Sequence, residues 1–360
     1  MAGDVMAADR DIDAPVLTAE VFPRPRARLP LSGRLAVVVL VVVVLVALLV
    51  PLAPLPSPRT VDTGRSLEPP LAGRVIEEAA ELQPRDGEPA DAWIDRGFGE
   101  LGLVSRLMVH ARVAVFGRWS LCGVLGRDEL GRDLLARICW GARVSLAVAV
   151  VAAVVTLFVG VPWGAVAGWA GGRVDDAMMR AVDVLNSIPL IFLVVFLVTV
   201  LGEDSIRLAL DRLGIGRLAI FFLVVAAVSW LSMARIVRGR LLELRDATYV
   251  EAARASGASP SRILRRHVVP NLAGTVVVTL SLTVPRVMLF ESFLSFLGLG
   301  VQPPDVSWGL LANAGLKALI PIDPAWWLFV FPSAALAVTL LALGFLGDAL
   351  EAVLDPRRHR

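Results

Sequence analysis

Six uncharged apolar runs leave this chain one kind of surroundings in which to fold. They cover Leu35 to Val50, Val144 to Gly172, Val184 to Gly202, Leu218 to Ala234, Val268 to Pro285 and Pro324 to Gly347. A helix needs about 20 apolar residues to cross the hydrocarbon, where no water pairs with loose backbone groups. The runs therefore predict an all-α, polytopic membrane protein with six transmembrane helices, in keeping with its 56% hydrophobic residues. Leu52, Ala53 and Leu55 extend the short first run, and tilt or thinning absorbs the remaining mismatch. A cleaved signal peptide is the competing reading there; a polar lead of 32 residues without a small-x-small site speaks against it.

The arginines set an orientation, because cationic loops resist translocation. From Arg235 to Arg266 there are eight Arg against Glu243, Asp246 and Glu251, which predicts a cytoplasmic loop. Glu203 to Arg217 is charge-balanced, Gly298 to Asp323 has only Lys317 as a cation, and the chain ends Arg357, Arg358, His359, Arg360. Both termini are then expected in the cytoplasm. The expected divisions are a tail over 1–32, a first helix over 33–53, an extracytoplasmic segment over 54–140, a membrane domain over 141–349 and a tail over 350–360. The 92 residues from Leu52 to Arg143 must then face outward despite many Arg, at a length where the charge rule weakens.

Between the fourth and fifth runs lies DATYVEAARASGASPSRILRRHVVPN, Asp246 to Asn271. Its first half is rich in helix formers, Gly257 can end a helix in the left-handed region, and Ser259-Pro260 supplies an N-cap and first-turn pair. Helix, sharp turn and second helix are expected. Glu251 projects from the first helix, Ala252 and Ala253 allow close approach of another backbone, and Arg262, Arg265 and Arg266 fall in the last turn of the second, where cations suit the helix dipole.

The outer segment opens with Pro51, Pro54, Pro56 and Pro58. It includes an amphipathic pattern near Val104 to Val115, with Val104, Leu107, Met108, Ala111 and Val115 on one face and Arg106 and His110 opposite. An interfacial helix packed on the membrane domain and a substrate-contacting cap are both open readings. Cys122 and Cys139 are either a disulfide or two small apolar residues, and neither they nor His110, His267 and His359 have metal-site spacing. Lys317 is the only lysine, in AGLKAL, so the Gly-Lys-Ser/Thr of a phosphate-binding P-loop is missing. No nucleophile elbow is present either. Energy for active transport would have to come from a gradient or from another chain.

Four blocks carry a family resemblance. Glu251-Ala252-Ala253, Gly257 and His267-Val268-Val269-Pro270 resemble the EAA loop of ABC-importer permeases, here 246–270, in the form used by dipeptide and oligopeptide systems. Leu125 to Leu146, Gly168 to Pro189 and Glu291 to Gly309 are similar to that family's second-helix entry, cytoplasmic turn with third helix, and outer segment before the last helix. Arg127 stands where Thr is usual, Arg286 where small or neutral residues are usual, and the outer segment is longer than the common version. The resemblance implies the type-1 permease fold and half of a translocation pore, with no catalytic residue, cofactor or metal on this chain. It also implies a second homologous permease, two cytoplasmic ABC ATPase subunits that use ATP and Mg, an extracytoplasmic solute-binding protein and a lipid bilayer, with no nucleic acid. Cargo is expected to be di- or oligopeptides, with nickel or another small solute as the alternative. A gradient-driven secondary transporter would show an inverted repeat, and none is visible; a structural scaffold is a third option.

Within this frame Glu251, Ala252, Ala253, Gly257 and Pro270 are the expected ATPase-coupling residues. Arg286 and Glu291 are candidate contacts to the pathway or the partner permease, with snorkelling or a structural pair as the plainer reading. Arg286 falls about 16 residues beyond Pro270, roughly 24 Å along a helix, and five residues rotate by about 140°, which sets Arg286 and Glu291 on different faces. Asp175, Asp176, Arg180 and Asp183 are expected to cap and pair locally at the third helix. Pro162 and Pro189 should kink their helices, and Gly298 and Gly300 should serve a turn.

Overall fold

The computed structural model describes residues 29–79, 82, 91–99, 101–201, 203–212, 217–319 and 325–354. The N-terminal tail and the terminal cluster Arg357 to Arg360 lie outside them. The helices, in chain order, are α1 (Leu31–Leu49), α2 (Ala92–Phe98), α3 (Leu103–Phe116), α4 (Leu134–Val155), α5 (Val161–Ala170), α6 (Gly172–Ser187), α7 (Leu190–Leu201), α8 (Asp204–Arg212), α9 (Arg217–Ser229), α10 (Leu231–Arg245), α11 (Thr248–Ala255), α12 (Pro260–Ile263), α13 (Val269–Phe296), α14 (Trp308–Lys317) and α15 (Trp327–Leu354). Two short strands, β1 (Ile76–Glu78) and β2 (Trp119–Leu121), pair antiparallel with Glu77 opposite Ser120.

Among the described residues, five helical stretches are long and apolar enough to cross a membrane: Leu31–Leu52, Leu134–Ala170, Leu218–Arg245, Pro260–Phe296 and Trp327–Leu354. The third expected crossing is not one straight helix. α6 and the helix that follows it are bent by 87°, and only together do they make a sixth span. Pro189 explains the break, since its ring pushes the preceding residue out of the helical region; Ile188 is extended at φ −81°, ψ 123°. Pro162 and Pro270 act more gently. Each follows a stretch of wider π-helix, Thr156–Gly160 and Leu264–Val268, so the helix continues past the missing N–H.

Small residues set the closest helix contacts. Gly160, Gly164 and Gly168 recur every fourth residue along the α4–α5 span and lie against α10; a Cβ on Gly164 would sit 2.3 Å from the Ala234 carbonyl oxygen. This small-xxx-small seam allows the two backbones to touch. On the far side of the bundle, Gly33 and Ala36 of α1 are buried, with Gly33 against Ala349 of α15. Val38, Val41, Leu45 and Leu48 of α1 are left exposed, as suits a lipid-facing surface.

At one end of the bundle the long segment after α1 folds into a cap with its own core of Leu55, Trp93, Ile94, Phe98, Val109 and Trp140. The expected helix over 104–115 is present as α3, but its buried stripe, Ser105, Val109 and Arg112, is neither the expected apolar face nor the Arg106 and His110 face. Val104, Leu107 and Val115 are 65% or more exposed, whereas Val109 and Arg112 are buried. Arg112 turns inward because its guanidinium donates to the Ala53 and Leu55 carbonyls and to Ser120 Oγ, three acceptors that make burial of a cation tolerable. The Arg106 and His110 side is held by Asp95 and Asp91.

The buried cations that follow in the cap are also paired, which explains how several Arg are accommodated in a segment expected to face outward. Arg127, the departure from the family pattern, is 7% exposed, forms an ion pair with Glu68 at 3.2 Å and donates to Glu77 at 3.3 Å, tying the long insertion to the start of α4. Asp128 holds Arg132 at 2.8 Å and also Arg137. Asp133 caps α4, accepting from the Ala136 and Gly123 amides at 2.7 Å. Burial pushes its carboxyl above the usual aspartate range, against the pull of those amides. No disulfide joins Cys122 and Cys139.

Candidate functional site

The opposite end of the bundle carries the polar element between α10 and α13. α10 does not stop at the end of the apolar run but continues to Arg245, so the first part of the expected loop is helix. Two ion pairs brace this extension against α6. Arg238 makes a two-pronged bond to Asp175 with both distances 2.5 Å, and Arg235 reaches Asp183 at 2.7 Å. Of the acidic residues expected to pair locally on α6, Asp175 and Asp183 therefore pair across to α10.

α11 follows after a short turn. Only Val250 of this helix is buried, inserted among Leu241, Leu244, Ile263 and Val268. The helix ends in a Schellman turn: the Ala258 N–H donates to the Ala253 carbonyl and the Gly257 N–H to the Arg254 carbonyl, both at 3.0 Å. Gly257 has φ +79°, where a side chain is strained, yet a Cβ there would meet nothing within 4 Å. Backbone conformation, not space, requires glycine. Asn271 Nδ2 donates to the His267 carbonyl at 2.7 Å and lies 3.4 Å from Tyr249 Oη, linking α11 to the start of α13.

The five expected coupling residues divide by this geometry. Glu251, Ala252, Gly257 and Pro270 are exposed, whereas Ala253 is half-buried and packs with Ala258 on the element's own core. Close approach of a partner is thus open at Ala252. Two details differ from the sequence expectation. Ser259 occupies the N-cap position with Pro260 after it, but its hydroxyl faces Ser261 Oγ at 3.4 Å and makes no capping bond. Arg262, Arg265 and Arg266 are exposed, but they do not sit at a helix C-terminus: α12 runs through the π-helical stretch into α13 as one span from Pro260 to Phe296, which places them in its first turns. The dipole argument fails there, and the three cations are simply presented outward.

Arg286 and Glu291 part company. Glu291 is wholly buried, so it leaves the set of candidate pathway contacts. Its carboxylate accepts from Ser295 Oγ at 2.9 Å, Ser292 Oγ at 3.3 Å and Ser145 Oγ at 3.5 Å. Ser145 Oγ in turn accepts the Trp308 amide, which locks α13, α4 and α14 together beneath the cap. Gly298, at φ +78°, turns the chain just after α13. Arg286 is exposed on the other side of α13, in a groove of about 250 Å³ shared with Ser229, Ser232 and Thr283.

Sequence reasoning missed the glycine seam of α5, the α6–α10 ion pairs and the serine cage. The seam was legible as GVPWGAVAG, and Ser292 and Ser295 of the cage lie one and four residues after Glu291; the ion pairs and Ser145 join residues far apart in the chain and have no local signature.

A family model described as "binding-protein-dependent transport system inner membrane component" matches residues 160–360. The dipeptide transport system permease protein DppC of Bacillus subtilis is 41% identical over 235 residues, 65% of this chain and 69% of that protein. The oligopeptide transport system permease protein OppC of Escherichia coli K12 is 46% identical over 232 residues, 64% of this chain and 72% of that protein. A chain of the MetNI methionine ABC transporter, in an inward-facing conformation, is similar with a TM-score of 0.49 and 19% identity, over 62% of this chain and 98% of that one.

Proposed function

The chain belongs to the family of binding-protein-dependent transport system inner membrane components, and on that premise we propose that it forms half of the pore of an ATP-driven importer of dipeptides or oligopeptides. It is a multi-pass membrane transport subunit and not an enzyme. A second permease of similar fold would complete the pore, two ATPase chains would supply ATP hydrolysis with Mg, and an external binding protein would deliver the peptide to the cap side. Both termini and the α11–α12 element would face the cytoplasm. Residues 54–140 would act as the extracytoplasmic segment, and 141–349 as the membrane domain.

The observation that carries this reading is the one-sided build of α11. Val250 fixes it to the feet of α10 and α13, while Glu251 and Ala252 stand bare on a helix too short to be stable alone. A partner pressing on that face would move both long helices at once. Glu251 would orient the docking surface, Ala252 would admit a partner backbone, Ala253 and Gly257 would hold the turn, and Pro270 would start α13. The test is mild-detergent purification of the tagged chain from its native cell, followed by mass spectrometry. Recovery of P-loop ATPases with a second permease is expected; an intact chain that repeatedly comes out without any ATPase would contradict the proposal.

A further inference from the structure

Arg286 is a cation without a visible purpose in the fold. It lies ten residues before the last residue of α13, about 15 Å from that end at the helical rise, well inside an apolar span. No carboxylate pairs with it among the described residues, and the nearest acid along the chain, Glu291, is turned to the buried face and held there by three serines. A guanidinium facing lipid at that depth is costly, so such a residue faces protein or water. The groove it occupies adds hydroxyls to a largely apolar wall. It lies between α13 and the α9–α10 junction, with Val225 and Phe290 as apolar walls and Ser229, Ser232 and Thr283 as polar ones. Ser229 and Thr283 donate their protons to the Ala226 and Thr279 carbonyls of their own helices, which leaves their oxygen lone pairs turned to acceptor work.

We propose that this groove is a station on the translocation path, where Arg286 takes the terminal carboxylate of a passing peptide and the Ser229 and Thr283 oxygens accept its N–H groups. The inference rests on the reading of the chain as a peptide-importer permease, and it names the part of the cargo that is read. The guanidinium fits a carboxylate in a two-pronged fashion, and the mixed apolar and hydroxyl wall makes few demands on the side chains. An open groove suits a mobile ligand better than a fixed acid on a neighbouring permease, which would have to project into it.

The experiment uses the whole complex with its binding protein in liposomes, measuring ATP-dependent uptake of radiolabelled alanylalanine and of its C-terminal amide. Each variant is compared with wild type on the same peptide, so any preference of the binding protein cancels. Arg286→Gln should lower uptake of the free acid by about tenfold and of the amide by less than about twofold, the scale of one charged hydrogen bond, and Arg286→Lys should recover part of the loss. Equal losses for both peptides, or no loss for either, would overturn the carboxylate assignment while leaving the peptide permease standing. Failure of Arg286→Gln to co-purify with the second permease, when Arg286→Lys does, would also overturn it by making Arg286 a subunit contact. A wild-type complex that takes up neither alanylalanine nor longer alanine peptides, as acids or amides, would remove the underlying reading and this inference with it.

Discussion

The two ends of the bundle treat arginine in opposite ways. In the cap, Arg127, Arg132 and Arg137 are drawn inward and matched by Glu68, Glu77 and Asp128. At the other end, Arg254, Arg262, Arg265 and Arg266 are exposed, with no ion pair among the described residues. Burying charge is tolerable only with good partners, so the cap's cations hold a shape. The exposed cations add nothing to the shape and are left for something else to meet. The glycine seam of α5 against α10 and the Asp175–Arg238 pair lie between the ends, making α10 a stiff connection to the α11–α12 element.

That contrast can be broken from either side. The largest effect is expected for Asp128→Ala, which strips Arg137 and Arg132 of their shared carboxylate; losing one member of a buried pair costs about 3–5 kcal/mol, visible as a lower denaturation midpoint in detergent. Asp133→Ala removes the cap of α4 and two bonds to backbone amides, for a loss of about 1 kcal/mol by the same measurement. Arg265→Ser with Arg266→Ser should change the midpoint by less than about 0.5 kcal/mol, because exposed, unpaired side chains hold little, yet it should reduce the ATPase recovered with the complex. A large stability loss in that double variant would erase the distinction between the two ends.

Much of the α11–α12 element was legible because its information is local. Gly257 and Ser259-Pro260 punctuate the chain within a few residues, and the turn they predict is the turn that forms, though the Ser259 hydroxyl takes no part in it. The number of apolar runs was equally plain, but whether Ile188-Pro189 bends or breaks a span depends on packing. The α3 face was misjudged for a physical reason: helical periodicity sorts apolar from polar residues, yet the buried side is chosen by acceptors on Ala53, Leu55 and Ser120 that only the fold brings to Arg112. Glu291 fails the same way, since Ser145, which closes the cage begun by Ser292 and Ser295 of its own helix, approaches it from α4. Arg127 looked like a deviation from the family pattern and is matched by acids within the lengthened segment itself.

The central claim, that α11 and its turn transmit ATPase motion to α10 and α13, is tested most directly by the amount of peptide taken up per ATP hydrolysed in the reconstituted complex. Gly257→Val forces a β-branched residue to φ +79°, a strain of roughly 1–2 kcal/mol at the turn, whereas Gly257→Asn places a residue that tolerates the left-handed region. The account predicts that Gly257→Val inserts and assembles but hydrolyses ATP with little uptake, and that Gly257→Asn stays close to wild type. An unchanged ratio of uptake to hydrolysis in Gly257→Val would contradict it.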